Sequence, residues 1–273
     1  MIVDQLNNIS ERARIMNSRQ SGDYINQADG LLYCGKCHTP KQCKITVFGA
    51  EKVVSCTCKC KQKEQAAEKQ HKEAERINEI RKACFNSESL ISSTFDNDDG
   101  DNKMLMQVCR KYTEKFSLSS DWLLLYGNCG TGKSFAAACI CNALLDRGFS
   151  AKFVTVSEIE KELFSAENKT YIFAELNKID ILCIDDFGAE RDTEYMQQIV
   201  YDLIDGRLKS GKPCVITTNL MPKDFSAPKN FTVRRIYSRL LEKAVTFEVQ
   251  GDDRRLKMFQ ENNKARLNTL LSE

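Results

Sequence analysis

The sequence predicts an α/β fold on a parallel sheet, preceded by a small cysteine-bearing module and a connecting helix. Three observations predict it. The apolar run Leu123-Leu124-Leu125-Tyr126 enters a glycine-rich loop, Gly127 to Ser134, and Phe135 to Leu145 follow with helical spacing. A second apolar run, Ile181-Leu182-Cys183-Ile184, ends in the carboxylates Asp185 and Asp186. Between Cys34 and Cys60 stand six cysteines, a density that an apolar core does not call for.

Composition frames these signals. The 273 residues suffice for one large domain and a smaller module; apolar content is 42% and net charge is +2, a balance that names no partner. No apolar run approaches a membrane span, and Met1-Ile2-Val3-Asp4-Gln5 lacks a signal-peptide pattern, so a cytoplasmic protein without membrane attachment is expected. Of the 13 cysteines, Cys109, Cys129, Cys139, Cys141, Cys183 and Cys214 fall in expected helices, strands and the glycine-rich loop. In a reducing compartment these read mostly as small buried hydrophobes.

Residues 1–60 form the expected module. Cys34-Gly35-Lys36-Cys37 is a C-x-x-C knuckle, and Cys56-Thr57-Cys58-Lys59-Cys60 comes after 18 residues. Thiolates so spaced converge tetrahedrally on Zn²⁺, and a segment this short needs a metal to supply stability its apolar surface cannot. Cys34, Cys37, Cys56 and Cys58 are the chosen ligands, with Cys60 able to replace either of the last two and Cys43 an outside alternative. His38 adjoins a ligand and is poorly placed as one. The module suits either DNA or protein as a partner. Residues 61–84, rich in Lys, Glu, Gln and Ala, read as an exposed connecting helix with partial i,i+4 charge pairing. Residues 85–273 form the main domain. Near its start, Asp96-Asn97-Asp98-Asp99-Gly100-Asp101 lacks the closing Glu of a calcium loop and reads as an acidic turn.

The loop meets the pattern G-x-x-x-x-G-K-[ST] through Gly127, Gly132, Lys133 and Ser134. Along Gly127, Asn128, Cys129, Gly130, Thr131 and Gly132, the backbone N–H groups are expected to turn toward phosphate oxygens, with the positive end of the next helix behind them. Lys133 is expected to reach the β- and γ-phosphates and Ser134 to hold Mg²⁺. Gly148 ends the helix, Ala151 to Val156 reads as a second strand, and one helix is expected from Ser157 to about Asn177, opened by a Ser157–Glu160 capping box. At the end of the next strand Asp185 would hold Mg²⁺ through water, and Asp186 would orient or deprotonate an attacking water. A helix from Thr193 to Lys209 leads to the strand Pro213-Cys214-Val215-Ile216-Thr217-Thr218-Asn219. Its carboxyl end is where ligands sit in parallel sheets, so Asn219 is expected to position the lytic water; capping the loop to Pro222 is its competing role. Val233 to Leu241 is an amphipathic helix with Arg235 and Arg239 four residues apart. Gly251-Asp252-Asp253-Arg254-Arg255 and a charged terminal helix close the chain.

The succession of P-loop, Asp-Asp-Phe-Gly, Thr-Thr-Asn-Leu, Arg-x-x-x-Arg-Leu and Gly-Asp-Asp-Arg-Arg resembles the AAA+ ATPases of the DnaC/DnaI helicase-loader family, to which the transposition helper IstB is related. The resemblance covers about Phe85 to Glu273. It implies a five-stranded parallel sheet in the order 5-1-4-3-2, and an extra helix near Ser157–Ala166 that touches single-stranded DNA. It also implies sensor 1 at Asn219, an arginine finger at Arg239 acting on a neighbouring subunit's ATP, and sensor 2 at Arg255. Asp186 departs from the Glu that many AAA+ proteins carry, and its shorter carboxylate implies slow hydrolysis.

The resemblance makes the leading reading an ATP-dependent loader that delivers a replicative hexameric helicase onto single-stranded DNA. Its amino-terminal module would grip the helicase, its AAA+ domains would self-associate, and Lys152, Lys161 and Lys169 would contact phosphates. An IstB-like regulator of a transposase and a non-hydrolysing ATP-binding adapter are the alternatives. A small-molecule kinase ranks last, because no lid for a second substrate is recognisable.

Overall fold

The computed structural model describes residues 22–256 together with Phe259, Asn262, Asn263, Arg266 and Leu270. The opening pentapeptide, the first 21 residues of the cysteine module and much of the terminal helix lie outside the described residues. The chain divides into two compact units between Arg76 and Ile77.

The amino-terminal unit holds two antiparallel hairpins, β1 (Tyr24–Ile25) with β2 (Leu32–Tyr33), and β3 (Gln42–Val47) with β4 (Ala50–Ser55). The second turns tightly at Phe48 and Gly49, whose positive φ values of 50° and 80° match a primed hairpin turn. Helix α1 (Lys59–Cys84) begins in this unit and ends in the next. Among the described residues up to Arg76, the buried apolar side chains are Cys34 and Cys58.

The second unit continues with α2 (Glu88–Ile91), a 3₁₀ turn at Phe95–Asn97 and α3 (Lys103–Glu114), then alternates strand and helix. In order these are β5 (Trp122–Tyr126), α4 (Lys133–Asp146), β6 (Ala151–Thr155), α5 (Val156–Ser165), α6 (Lys169–Lys178) and β7 (Ile181–Phe187). Next come α7 (Glu194–Ser210), β8 (Cys214–Thr218), α8 (Pro222–Ser226), α9 (Phe231–Lys243) and β9 (Ala244–Glu248). The five strands are all parallel, in the order β6-β7-β8-β5-β9. Counted within this sheet the order reads 5-1-4-3-2 from the β9 edge.

Strands β5, β7 and β8 are buried on both faces, which explains their near-continuous apolar runs. One face packs on α4, α3 and the end of α1; the other packs on α5, α7 and α9. Helix α4 is apolar almost all round because the sheet lies on one side and α3 on the other.

Two local expectations are corrected. The stretch after β6 is two helices, not one: the backbone turns extended at Ala166, and the Asn168 side chain accepts from Tyr171 N at 3.2 Å to start α6. The capping box of α5 is Thr155 with Glu158, not Ser157 with Glu160, since Thr155 still pairs with Asp185 in the sheet and the helix starts directly after it. Arg207 on α7 is fully buried and donates to the carbonyls of Pro213, Leu176, Ile179 and Asp180, tying the end of α6 to the starts of β7 and β8. Nothing in its local sequence marks that role. No helix among the described residues is long and apolar enough to cross a membrane.

Candidate nucleotide site and four-thiol cluster

Strand β5 delivers the chain to the carboxyl edge of the sheet, and the loop turns back there into α4. At Gly127 (φ +144°) a Cβ would come within 2.4 Å of Val249 O; at Gly130 (φ +72°) it would meet an Asp253 carboxylate oxygen at 1.9 Å. Neither position accepts a side chain, so the residues after β9 press directly on the loop. Lys133, at the first turn of α4, is buried. Its Nζ donates to Gly127 O (2.9 Å), Asn128 O (2.6 Å) and Asn219 Oδ1 (2.9 Å). Burial lowers its pKa, while the charges of Cys129, Asp186 and Asp185 act in the opposite direction.

Asp185 ends the buried part of β7. Burial raises its pKa, and hydrogen bonds from Thr217 and Ser134 oppose the rise. Thr217 Oγ1 donates to Asp185 Oδ1 at 2.6 Å and accepts from Asp186 N at 3.0 Å, so one hydroxyl fixes both acidic residues. Asp186 takes a left-handed backbone (φ +51°), rare outside glycine but tolerated by Asp, just where the β7–β8 register shifts. It is exposed, whereas Asp185 is not. The adjacent carboxylates therefore differ in surroundings: one accepts a hydrogen bond from Ser134, the other faces solvent.

A cavity of ≈ 340 Å³ collects the loop from Cys129 to Phe135 with Asp186, Asn219, Arg254 and Arg255. The acidic turn forms a further wall through Asn97 and Asp99. Arg254 is the contributor that sequence reasoning missed: its N–H donates to Gly130 O at 3.1 Å, and its guanidinium pairs with Asp99 (3.1 Å) and Asp101 (3.6 Å). Arg255, the sequence's choice, lines the cavity beside it and is held by Asp253 Oδ1 accepting from its backbone N–H at 2.9 Å.

Arg239 lies outside this cavity. It pairs with Asp205, and its guanidinium sits 4.8 Å from the Tyr201 ring centroid. The three lysines expected to meet phosphate differ in freedom. Lys152 donates to Ala83 O at 2.9 Å and is engaged; Lys169 lies 5.4 Å from the Tyr195 ring centroid; Lys161 is exposed.

In the amino-terminal unit Cys34, Cys37, Cys58 and Cys60 bring their sulfurs within 4.8 Å of one another. Cys60 takes the place expected for Cys56. Helix α1 starts at Lys59 and turns Cys60 back under the knuckle, 3.4 Å from Cys34 and 3.3 Å from Cys58. Cys56, just past the end of β4, instead lies against Pro40 O at 3.3 Å. His38 faces Tyr24 OH and is no part of the cluster. Thr39 Oγ1 and backbone contacts bring the Cys37 thiol down to about 5, and hydrogen bonds from Cys58 and Cys34 push Cys60 up to about 12. Four converging sulfurs, two of them in the only buried apolar positions of the unit's described residues, fit Zn²⁺ by donor type and spacing.

The model of the IstB-like ATP binding protein family matches residues 60–262. The chain belongs to that family. The chain thus has the AAA+ P-loop fold of an ATP-binding family. The replicative helicase loader DnaC of Escherichia coli (strain K12) is 34% identical over 119 residues, 42% of this chain and 49% of that protein. The chain thus matches about half the length of that relative. The replicative helicase loader DnaI of Bacillus subtilis (strain 168) is 23% identical over 258 residues, 85% of this chain and 81% of that protein. Among solved structures, a crystal structure of DnaI superposes with a TM-score of 0.52 at 22% identity, over 62% of this chain and 93% of that one. The DnaC helicase loader gives 0.50 at 18% identity, over 60% and 100%.

Proposed function

We propose that this IstB-like protein is a cytoplasmic ATPase that loads a replicative hexameric helicase onto single-stranded DNA. The observation that carries the reading is the likeness to the Bacillus subtilis loader, which runs over more of the chain than the sheet-bearing unit holds. The site supports the ATP step. Lys133 and the loop N–H groups bind the phosphates, and Ser134 with Asp185 would hold Mg²⁺, which neutralises phosphate charge when bound. Asp186, solvent-facing, orients the attacking water; Asn219, already hydrogen-bonded to Lys133, fixes the other side of that water's position. Arg254 and Arg255 bring positive charge from the carboxyl-terminal side. The shorter reach of Asp186 makes hydrolysis slow, which suits a switch. Arg239 serves a neighbouring subunit's ATP, so turnover depends on self-association. Zn²⁺ on Cys34, Cys37, Cys58 and Cys60 holds the module that grips the helicase, and Lys161 and Lys169 contact the strand.

The test is ATP turnover with and without single-stranded DNA, alongside transfer of a hexameric helicase onto a single-stranded circle. Wild type should do both. Lys133→Ala should abolish both, and Arg239→Ala should lower turnover by about 10³-fold. ATP binding without turnover in the wild type would favour the adapter reading. The family match supports the transposase regulator as the second reading, and stimulation of a transposase with no helicase transfer would select it.

A further inference from the structure

Helices α7 and α9 meet through a ladder of alternating cations and rings. On α7, Tyr201 and Asp205 are one turn apart; on α9, Arg235 and Arg239 are likewise. Both guanidinium groups lie over the Tyr201 ring, 4.6 Å from its centroid for Arg235 and 4.8 Å for Arg239. The two arginines then part company. Arg239 is half-buried and paired with Asp205, which also takes Lys209 at 2.7 Å. Arg235 is exposed, and its Nη2 donates to Tyr201 Oη at 2.6 Å. Among the described residues it has no carboxylate partner. The neighbouring acid Asp202 accepts instead from Gln198, at 2.9 Å. Charge on Arg239 is thus partly answered within its own chain, while charge on Arg235 is not.

We propose that Arg235 is a second phosphate-contacting arginine at the interface between two copies of this chain, and that Tyr201 positions it. The ligand is the triphosphate held in the other copy's P-loop, and the inference rests on the assembly-dependent ATPase reading above. A triphosphate carries more negative charge than one guanidinium answers, above all one already shared with Asp205. Arg235 offers N–H groups of its planar fork that Tyr201 leaves free. The long arginine side chain would lose rotamer freedom on docking; stacking on the ring and donating to its hydroxyl fix it beforehand, so less is lost at contact. Tyr201 touches no phosphate and acts through Arg235.

The experiment measures ATP turnover against protein concentration for wild type, Arg235→Ala, Tyr201→Phe and the double variant, with thermal melts of each. Arg235→Ala should lower kcat at least about tenfold with KM for ATP and the melting temperature unchanged. Tyr201→Phe keeps the ring and removes the acceptor, so kcat should fall about threefold and the double variant should be no slower than Arg235→Ala. Mixing Arg235→Ala with Lys133→Ala should restore turnover, because the second protein has no working site but offers an intact Arg235 to the first. Wild-type kcat in Arg235→Ala would overturn the proposal, and so would a loss that mixing does not repair. An additive double variant would remove Tyr201 from its role. A wild type whose specific rate ignores its own concentration removes the assembly reading and this inference together; a concentration-dependent wild type with an indifferent Arg235→Ala removes the inference alone.

Discussion

In the sheet-bearing unit five parallel strands are covered on both faces, and its helices bury Leu, Ile, Val and Cys in two separate apolar layers. In the amino-terminal unit the described residues bury two apolar side chains, and both are cysteines that belong to a four-sulfur cluster. Ile25, Phe48 and Val53, which a self-sufficient small domain would use as core, are exposed. The sheet-bearing unit is held by area removed from water; in the amino-terminal one the sulfur cluster stands where a core would be, and the proposed Zn²⁺ would supply stability that area cannot. The same residue type therefore has opposite meanings in one chain. Cys139, Cys183 and Cys214 are packing, with thiols that burial holds protonated; Cys34 and Cys58 are proposed ligands.

The contrast breaks most visibly if metal is withdrawn. Chelation, or Cys60→Ser, should unfold the amino-terminal hairpins and leave the melting of the sheet-bearing unit where it was. Structural zinc in small domains is worth about 10–16 kcal/mol at neutral pH, far beyond what two hairpins supply. Amide dispersion around Tyr24 and Tyr33, and a zinc content of one per chain lost in Cys60→Ser, are the readouts. Hairpins that keep their dispersion in chelator would mean that the metal is not what folds them.

Next in size comes Arg207→Ala, which attacks the other unit. It strips donors from four carbonyls, two of them buried, and leaves a cavity at the junction of α6, β7 and β8. About 3–5 kcal/mol of stability should go, read as a lower urea midpoint, with zinc content unchanged. A loss below about 1 kcal/mol would show that water replaces the guanidinium at little cost.

Asp185→Asn should act in the opposite direction. Burial raises the Asp185 pKa, so the folded state disfavours its charge and the ionised form is a burden at neutral pH. The amide keeps the acceptor that Thr217 uses. The variant should melt higher than wild type while losing Mg²⁺-dependent turnover, and the gain should shrink as pH falls through the range where Asp185 itself takes a proton. A gain that persists unchanged at low pH would assign the effect to something other than charge.

How much of this is legible in the sequence depends on how tightly chemistry restricts residue type. The P-loop, the Asp185-Asp186 pair and Asn219 can be read because few residue types suit the roles expected of them, and the structure gathers Cys129 to Ser134, Asp186 and Asn219 around one cavity, with Gly127, Asn128 and the buried Asp185 outside its lining. Choices between equivalent patterns cannot be read. Thr155–Glu158 and Ser157–Glu160 both spell a capping box, and only the pairing of Thr155 with Asp185 decides where the strand stops. Contacts made across the fold leave no local trace: Thr217 looks like any strand threonine, and Arg254 beside Arg255 cannot be told apart until the chain lies against Gly130. The edge strand β9 is no easier, because its exposed Val245 and Thr246 blur the alternation.

The smallest expected effect is also the sharpest check on the zinc ligand set. Cys56 and Cys60 are equivalent to a spacing argument, since each completes a set with the C-x-x-C knuckle. Their local backbone tells them apart. Cys60 lies in the first turn of α1, so the helix carries its sulfur to Cys34 and Cys58; Cys56 belongs to the strand end, and its thiol lies against Pro40 O and the neighbouring thiol of Cys43. Cys56→Ser should therefore keep a full zinc complement and change stability by less than about 1 kcal/mol, because Cys56 is half-buried outside the cluster and the hydroxyl can keep the contact with Pro40 O. Cys60→Ser should lose the metal. Titrating both variants against a zinc-sensitive dye separates them, and an inverted result, with Cys56 indispensable and Cys60 silent, would mean that α1 starts later than Lys59 when metal is bound.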